Sequence, residues 1–259
     1  PVLLAAVQAM AETQFNLNGL QATTNPVGPM LILNGPIRKE LNLNCESGLM
    51  GPGWQANATI GRAVRLVLLN LGGAAPGAVD KSTQGFPGKY TLCIGELEEE
   101  NPWEPLHVER GFKREQSTVT VTGVHSTSNI IESSSDPNDT ILTIQHAMKD
   151  VGCNNYHMGR GEPGLLLCPM HAHLLKRLFP TKNDLRKYLW EKVRVPLDWM
   201  SSRKKEQLGF AERVIDGTVP IIRRWQDFLI VVGGGAGGLH STFLPTFGDT
   251  LAVTKPIVR

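Results

Sequence analysis

The sequence predicts an α/β fold, in which a largely parallel sheet is flanked by helices and glycine-rich loops stand at the strand ends. Short apolar runs of strand length alternate with segments of helical periodicity, and several of these runs are apolar throughout, as strands buried on both faces are. Turns rich in glycine or proline follow the runs. A chain of 259 residues can bury a substantial core. We expect a single α/β domain over residues 1–259, with a subdivision near 126–140 left open.

In the first half of the chain, the pattern predicts helices at 1–12 and 60–71, strands at 29–33, 90–94 and 117–124, and a long loop at 74–89. The second helix is the clearest, because its apolar residues recur at i, i+3, i+4, i+7, i+8 and i+11. Further leucines widen that stripe, so we expect this helix to be buried on most sides. The strand STVTVTGV alternates valine and threonine, which indicates one wet face and favours an edge or antiparallel strand.

In the second half, the pattern predicts helices at 140–151, 171–179 and 184–192 and strands at 164–168 and 227–232. Thr181 is a suitable N-cap for the third of these helices. In open parallel sheets, ligands bind beyond the carboxyl ends of the strands. We therefore expect the functional site where five segments leave strands, at 34–36, 95–96, 123–125, 168–171 and 233–240.

The composition excludes several classes of partner. Apolar residues make up 41% and charged residues 19% of the chain, as in ordinary globular proteins, and the net charge of +2 is too small to indicate a nucleic-acid partner. No apolar run reaches the roughly 18 residues of a membrane span, and no signal peptide is visible. The four cysteines have no zinc-type spacing, which indicates free thiols in a reducing cytoplasm.

The first residue is Pro1, and it leads directly into an apolar helical pattern. We expect that a segment upstream of Pro1 is missing. The alternative is a free proline amine acting as a catalytic base or nucleophile, because the pKa of an α-amino group lies near neutrality.

A glycine-rich loop before the helix at 60–71 predicts an anion site. The first turn of a helix leaves N–H groups unpaired and carries the positive end of the dipole. Asn57 and Thr59 stand at the expected cap, and Arg62 could add charge. Cys45, just upstream, is a candidate nucleophile or redox thiol if this helix start lowers its pKa. The alternative is a capped loop without a ligand and an inert, buried cysteine.

The acidic segment ELEEENPWEPLHVERGF follows a predicted strand and contains the second candidate site. Carboxylates beside a histidine in a loop stiffened by proline are suited to general acid/base catalysis. The candidate catalytic residues are Glu98, Glu99, His107 and Glu109, and Arg110 is a candidate substrate ligand. The alternative is a solvated charge run, which is the usual role of such segments.

Other polar residues are candidate ligands for a small anionic substrate. The long loop contributes Lys81, Gln84 and Lys89, and the strand ends contribute Asn34, His171, His240, Gly234 and Gly235. The glycine run has neither the GxGxxG nor the P-loop pattern, so a flexible turn is the alternative to phosphate binding. A divalent metal held by distant histidines (His107, His171 or His240) and a glutamate is left open, although no zinc motif occurs.

Several segments resemble a family of microbial proteins associated with selenocysteine- or cysteine-bearing UGSC-type proteins. The segments are NGPIRKELNLN, GPGWQANATIGRAVRLVLLNLGGA, PGKYTLCI, PWEPLHVERGF, GLLLCPMHA and VTKPI, so the resemblance covers most of the chain. Relatives have a further stretch upstream of Pro1, with a cysteine shortly before it. The resemblance therefore implies a functional thiol or selenol in a segment or partner outside this chain. Relatives have a small residue or serine near Cys45, so the resemblance implies no obligatory role for that thiol and no settled reaction.

Two hypotheses follow from the sequence. The first is an enzyme acting on a small anionic organic molecule by acid/base or thiol-linked chemistry, as a lyase, hydratase or oxidoreductase. The second is a non-catalytic or incomplete subunit that scaffolds a small redox-active (seleno)cysteine protein. Trp103, Trp199, Trp225 and the apolar start VLLAAV favour an interface, so we expect a homo- or hetero-oligomer.

Overall fold

The computed structural model describes residues 1–51, 53–207, 209–237 and 239–258. Its strands are β1 (Gly28–Asn34), β2 (Cys93–Gly95), β3 (Thr118–Val124), β4 (Ser128–Ile131), β5 (Gly164–Leu167), β6 (Arg194–Pro196), β7 (Thr218–Pro220), β8 (Leu229–Val232), β9 (His240–Leu244) and β10 (Val253–Pro256). Its helices are α1 (Val2–Met10), α2 (Leu17–Gln21), α3 (Ile37–Glu40), α4 (Gln55–Asn70), α5 (Leu106–Glu109), α6 (Pro137–Ala147), α7 (Asn154–Met158), α8 (Pro169–Lys176), α9 (Lys182–Lys192) and α10 (Ser202–Lys205).

The strands form two four-stranded sheets, with the orders β10-β3-β1-β2 and β4-β9-β5-β8, and β6 pairs with β7. Each large sheet has one parallel pair, β1 with β2 and β5 with β8, and two antiparallel pairs. Helices lie between the members of both parallel pairs, as a parallel crossover requires. The α/β class is confirmed, whereas the prediction of a largely parallel sheet is wrong.

The two sheets have the same arrangement of parallel and antiparallel pairs, and each has an edge strand that follows the other sheet's neighbouring strand in the chain. β4 follows β3 in the chain but pairs with β9, and β10 follows β9 but pairs with β3. An isolated bridge between Val124 and Thr246 lies where the two connections pass each other. The chain therefore enters the second sheet between Val124 and Ser128, close to the segment where a subdivision was left open.

The sheets stack face to face, with helices on the outer faces. In β1, Met30 and Ile32 join a cluster with Leu166 and Val231 of the second sheet. The alternate residues of β1 belong to the cluster that contains α1 and α4, and the alternate residues of β5 belong to the cluster that contains α6, α8 and α9. Because successive strand residues point to opposite faces, the order of layers is helices, sheet, sheet, helices. No helix in the described ranges is long and apolar enough to cross a membrane.

Two predicted elements differ in their burial. The predicted helix at 60–71 begins earlier, at Gln55, and Leu66 and Leu71 are exposed on its outer side, so it is not buried on most sides. All seven residues of β3 are buried, because the face that carries its threonines also carries Met30 and Ile32 and is covered by the second sheet. The antiparallel pairing of β3 is confirmed, and its predicted wet face is wrong. Thr181 caps α9 in a complete capping box, as predicted.

Candidate functional site

The carboxyl ends of β2 and β8 meet at one edge of the molecule. The Leu97 N–H, just after β2, donates to the Val232 carbonyl of β8 at 2.8 Å. The loop around Cys45 lies between these ends, since the Gly234 N–H donates to the Cys45 carbonyl at 2.9 Å and the Gly95 N–H to the Asn44 carbonyl at 3.4 Å. One edge thus brings together segments from both parallel pairs, as the sequence led us to expect.

The segment 123–125 does not reach this edge. β3 is antiparallel to β1, so its carboxyl end lies at the opposite end of the sheet, where Gly28 pairs with Val124.

A buried carboxylate, Glu96, holds the acidic segment in place. Glu96 is fully buried and accepts hydrogen bonds from Asn34 Nδ2 at 2.6 Å, Asn101 Nδ2 at 2.7 Å and the Leu106 N–H at 2.8 Å. The Nζ of Lys182, on α9, lies 3.8 Å from it. The candidate ligand Asn34 is therefore committed to carboxylates of its own chain, because its Nδ2 also donates to Glu98.

The described contacts hold Glu98 through only one of its two carboxylate oxygens. Its Oε1 accepts from Asn34 Nδ2 at 3.0 Å, the Gly35 N–H at 2.7 Å and Arg38 Nε at 3.1 Å. Among the described residues, every hydrogen bond and ion pair of this carboxylate goes to Oε1, so Oε2 is the oxygen left for another partner. The side chain is 8% exposed.

His107 lies directly beside Glu98, as the sequence predicted. Its ring is fully buried, and Nε2 lies 3.3 Å from the Arg114 carbonyl, to which it can donate only as N–H. Nδ1 has no hydrogen-bond partner and lies 3.9 Å from Glu98 Oε1. Nδ1 is therefore the ring nitrogen that faces the carboxylate.

Glu99 bridges two cations at the surface. Its carboxylate receives Arg38 Nη1 at 3.0 Å and Lys39 Nζ at 3.0 Å. Burial alone would raise the pKa of Glu99, but the hydrogen bonds from Arg38 and Lys39 lower it to about 2. Glu99 is therefore an anion at neutral pH rather than a proton donor.

Two clefts open on either side of the Arg38–Lys39–Glu99 group. One, of about 340 Å³, is lined by Gly35, Pro36, Arg38, Lys39, Glu98, Glu99 and Arg114. The other, of about 670 Å³, is lined mainly by the loop around Cys45 together with Trp54, Leu97, Glu100 and Ala236. We name the first the Glu98 cleft, because a nearly buried carboxylate and three cationic side chains meet there.

Cys45 does not have the lowered pKa that the sequence argument required. Its thiol is buried, 3.6 Å from the Leu43 carbonyl and 3.9 Å from Arg38 Nη1. Burial raises the pKa of Cys45, and the nearby Arg38 only partly opposes this shift. Of the two alternatives for Cys45, these contacts favour the buried, inert thiol over a thiol activated by a helix start.

The predicted anion site at the start of α4 is also wrong in its geometry. The N-cap is Trp54, and Asn57 lies inside the helix, 3% exposed. Asn57 Nδ2 donates to the Asn44, Leu49 and Cys93 carbonyls, and its Oδ1 accepts from the Asn44 N–H. The other two predicted ligands are also engaged locally, since Thr59 Oγ1 bonds to the Gln55 carbonyl and Arg62 stacks 4.2 Å from the centre of the Tyr90 ring. The Asn57 side chain thus holds the 44–49 loop against α4 and is not an anion ligand. We call this role the clamp.

We expect Asn57→Ala to destabilise the protein by about 2 kcal/mol, because buried backbone groups of the 44–49 loop lose their partners. Urea unfolding followed by circular dichroism measures this loss. Asn70→Ala, at the exposed end of the same helix, is the matched control and should change stability by less than about 0.5 kcal/mol. Equal effects of both substitutions would contradict the clamp.

The long loop at 74–89 does not join the Glu98 cleft. Lys89 packs against Gly28, at the amino end of β1, and its Nζ pairs with the buried Asp80 at 2.7 Å. Lys81 and Gln84 are exposed in the same loop. The expectation that these residues converge with the acidic segment is therefore wrong, because the loop closes the opposite end of the strand.

Glu109 and Arg110 form ion pairs away from the Glu98 cleft. Glu109 receives Lys182 Nζ at 2.9 Å and Arg186 Nη1 at 2.9 Å. Arg110 pairs with the buried Glu162. These contacts join the acidic segment to the second half of the chain, which is a structural role.

The remaining candidates lie at the ends of β5, β8 and β9. His171 is fully buried, whereas His240 is exposed and contacts Asn129. Gly234 and Gly235 pack against the loop around Cys45, with Gly235 close to Ser47. Among the described residues, no group of three or more histidine, cysteine or acidic side chains could hold a metal, so His107, His171 and His240 form no such centre.

Sequence reasoning missed Arg38 and Cys168. Arg38 is separated from Glu98 and Glu99 by some sixty residues, and no local pattern links them. Cys168 is different, because it precedes His171 by three residues at a helix start, a spacing that brings two side chains together. Comparison with protein-family models, curated proteins and solved structures finds no match to this chain.

Proposed function

We propose that this chain is an enzyme that transfers protons on a small anionic organic molecule, in a reaction of the lyase or hydratase type. One observation carries the proposal: Glu98 is fixed through Oε1 while Oε2 is left for a ligand in a cleft that also contains Lys39 and Arg114. A carboxylate held in one orientation is suited to act as a general base.

Each residue of the Glu98 cleft has a role in this proposal. Glu98 takes a proton from a carbon or water of the substrate. His107 is a positioning residue, since its buried ring lies beside Glu98, with Nδ1 3.9 Å from Oε1. The exposed cations Lys39 and Arg114 attract an anionic substrate.

The test is proton exchange in D2O. The purified chain is incubated with malate, citrate or pyruvate, and loss of the C–H signals is followed by proton NMR. We expect exchange for at least one acid, and we expect Glu98→Gln to slow it about 100-fold or more, the usual contribution of a general base. Glu191→Gln, an exposed glutamate on α9, should exchange at the wild-type rate.

Either of two results would overturn the proposal. The first is exchange by Glu98→Gln at the wild-type rate, and the second is no exchange of any of these acids by the wild type.

A second candidate is a non-catalytic subunit that scaffolds a cysteine- or selenocysteine-bearing protein in a homo- or hetero-oligomer. Leu4 is 63% and Trp199 57% exposed, which favours an interface, whereas Trp103 is buried and donates to the Phe179 carbonyl. If the chain is an enzyme, a thiol-linked redox reaction is the alternative to proton transfer. We also propose a cytoplasmic location, which is supported by four cysteines that form no disulfide.

A further inference from the structure

A second reactive centre lies at the carboxyl end of β5, outside the Glu98 cleft. Cys168 is the N-cap of α8, and His171 is the third residue of that helix. The N-cap residue and the third residue of a helix lie close together, which is why their side chains can bond to each other's backbone in a capping box. Here the pair is a thiol and an imidazole, and the two side chains are hydrogen-bonded.

The contacts of His171 determine which ring nitrogen faces the thiol. Nε2 lies 2.9 Å from the Glu132 carbonyl, which can only accept, so Nε2 carries a hydrogen. Nδ1 is therefore the nitrogen left for Cys168 and for Ser241 Oγ, which is 2.8 Å away. Ser241 Oγ also accepts from the Cys168 N–H at 3.3 Å, and this hydroxyl ties the two residues together.

This arrangement allows a proton to pass from the Cys168 thiol to the His171 imidazole. With Nε2 protonated, Nδ1 has a lone pair that takes the thiol proton, and the products are a thiolate and an imidazolium. The start of α8 adds the positive end of its dipole next to the sulfur. Burial alone would raise the pKa of Cys168, but the hydrogen bonds with His171 and Ser241 outweigh it, and the pKa is lowered.

The other cysteines provide a comparison within the same chain. All four are buried, between 2% and 8% exposed, so exposure alone does not distinguish Cys168. Burial raises the pKa of Cys45 and of Cys93, and it raises the pKa of Cys153 to about 11. Cys168 therefore differs from them through its histidine partner, not through its access to solvent.

We propose that Cys168 and His171 form a nucleophilic thiol centre that reacts with a small electrophile, namely a low-molecular-weight disulfide. The Cys168 thiolate attacks one sulfur of the disulfide, a new bond forms between Cys168 Sγ and that sulfur, and the original S–S bond breaks. The displaced thiolate takes the proton from the His171 imidazolium. The buried position of Cys168 restricts the partner to a small molecule. This centre does not depend on the acid/base role of Glu98.

The experiment uses the wild-type chain with limiting 4,4′-dithiodipyridine at pH 7. Released thiopyridone gives the rate, and peptide mass spectrometry locates the mixed disulfide. We expect Cys168 to react about tenfold or more faster than Cys45, Cys93 and Cys153, because a lowered pKa increases its thiolate fraction. Iodoacetamide should show the same order of reactivity, since it also requires the thiolate.

Two variants distinguish activation of the Cys168 thiol by His171 from access of the reagent to that thiol. His171→Asn should slow labelling of Cys168 about tenfold or more and leave the other cysteines unchanged, because only Cys168 loses its proton acceptor. Ser241→Ala keeps the imidazole, so it should slow labelling less than His171→Asn does. Preferential labelling of another cysteine in the wild type, or an unchanged Cys168 rate in a folded His171→Asn protein, would overturn the proposal. If His171→Asn does not fold, the relative labelling rates of the four cysteines in the wild type decide the test alone.

Discussion

Replacing Glu96 by alanine is expected to cost about 3–5 kcal/mol of unfolding free energy, among the largest effects of any single substitution in this chain. Glu96 is fully buried and accepts from Asn34, Asn101 and the Leu106 N–H, all within 2.8 Å. Without the carboxylate, these donors lose their acceptor in a site that excludes water. Lys182, itself 3% exposed, also loses one of its two nearby carboxylates.

Urea unfolding measures the loss, and in a chain of this size it corresponds to a fall of roughly 10 °C in the midpoint of thermal unfolding. Glu96→Gln keeps the shape and one acceptor oxygen, so it should cost less than Glu96→Ala. Glu191→Ala, on the exposed side of α9, should stay within about 0.5 kcal/mol of the wild type. A wild-type urea midpoint for Glu96→Ala would show that the network contributes nothing.

The difference between Glu96 and Glu98 shows why one acidic run contains both a structural and a candidate catalytic carboxylate. Both oxygens of Glu96 accept hydrogen bonds, whereas the described contacts of Glu98 all go to Oε1. Sequence alone does not make this distinction, because it depends on donors such as Arg38 and Asn34 that lie about sixty residues away. The proximity of Glu98 and His107 was predictable, since they are nine positions apart in the chain and a proline-rich loop joins them.

The strands show a similar limit. β1, β5 and β8 are apolar runs, and their sequence pattern predicts them. β10 has the sequence VTKP, too short and polar to be recognised, yet it pairs with β3 and forms the edge of that sheet. Thr120 Oγ1, for example, lies 2.8 Å from Thr254 Oγ1. The solvent-exposed face predicted for β3 was wrong because the second sheet, built from strands later in the chain, covers its threonines.

The Cys168–His171 pair, by contrast, could have been found from the sequence. A residue at the N-cap and another three positions later form a local unit, and Pro169 marks the helix start. His171 stands in the sequence as a candidate ligand, and the cysteine before the proline is its local partner. The contacts that hold His171 in place, however, come from Ser241 and from the Glu132 carbonyl, which belong to other strands or their ends and come close only in the fold.

Asp80→Ala is the second substitution for which we expect a loss of about 3–5 kcal/mol, because it leaves buried cations without their counter-charge. Asp80 is 6% exposed and receives Arg65 Nη2 at 3.1 Å, Lys89 Nζ at 2.7 Å and Ser82 Oγ at 2.6 Å. Asp198→Ala, at an exposed aspartate, is the matched control and should have little effect.

The pH dependence of this loss tests its electrostatic origin. Burial alone would raise the pKa of Asp80, but the hydrogen bonds from Lys89 and Ser82 lower it below its ordinary value. For Lys89, burial outweighs Asp80 and lowers the pKa, so the carboxylate determines the behaviour in acid. A lowered carboxylate pKa contributes stability that is fully present above the unfolded pKa of about 4 and is lost as the pH falls through the folded pKa. The difference in urea midpoint between the wild type and Asp80→Ala should therefore be constant from pH 7 down to about pH 5 and shrink below about pH 4. A difference that does not change down to the acid unfolding of the protein would mean that packing, rather than charge, accounts for the loss.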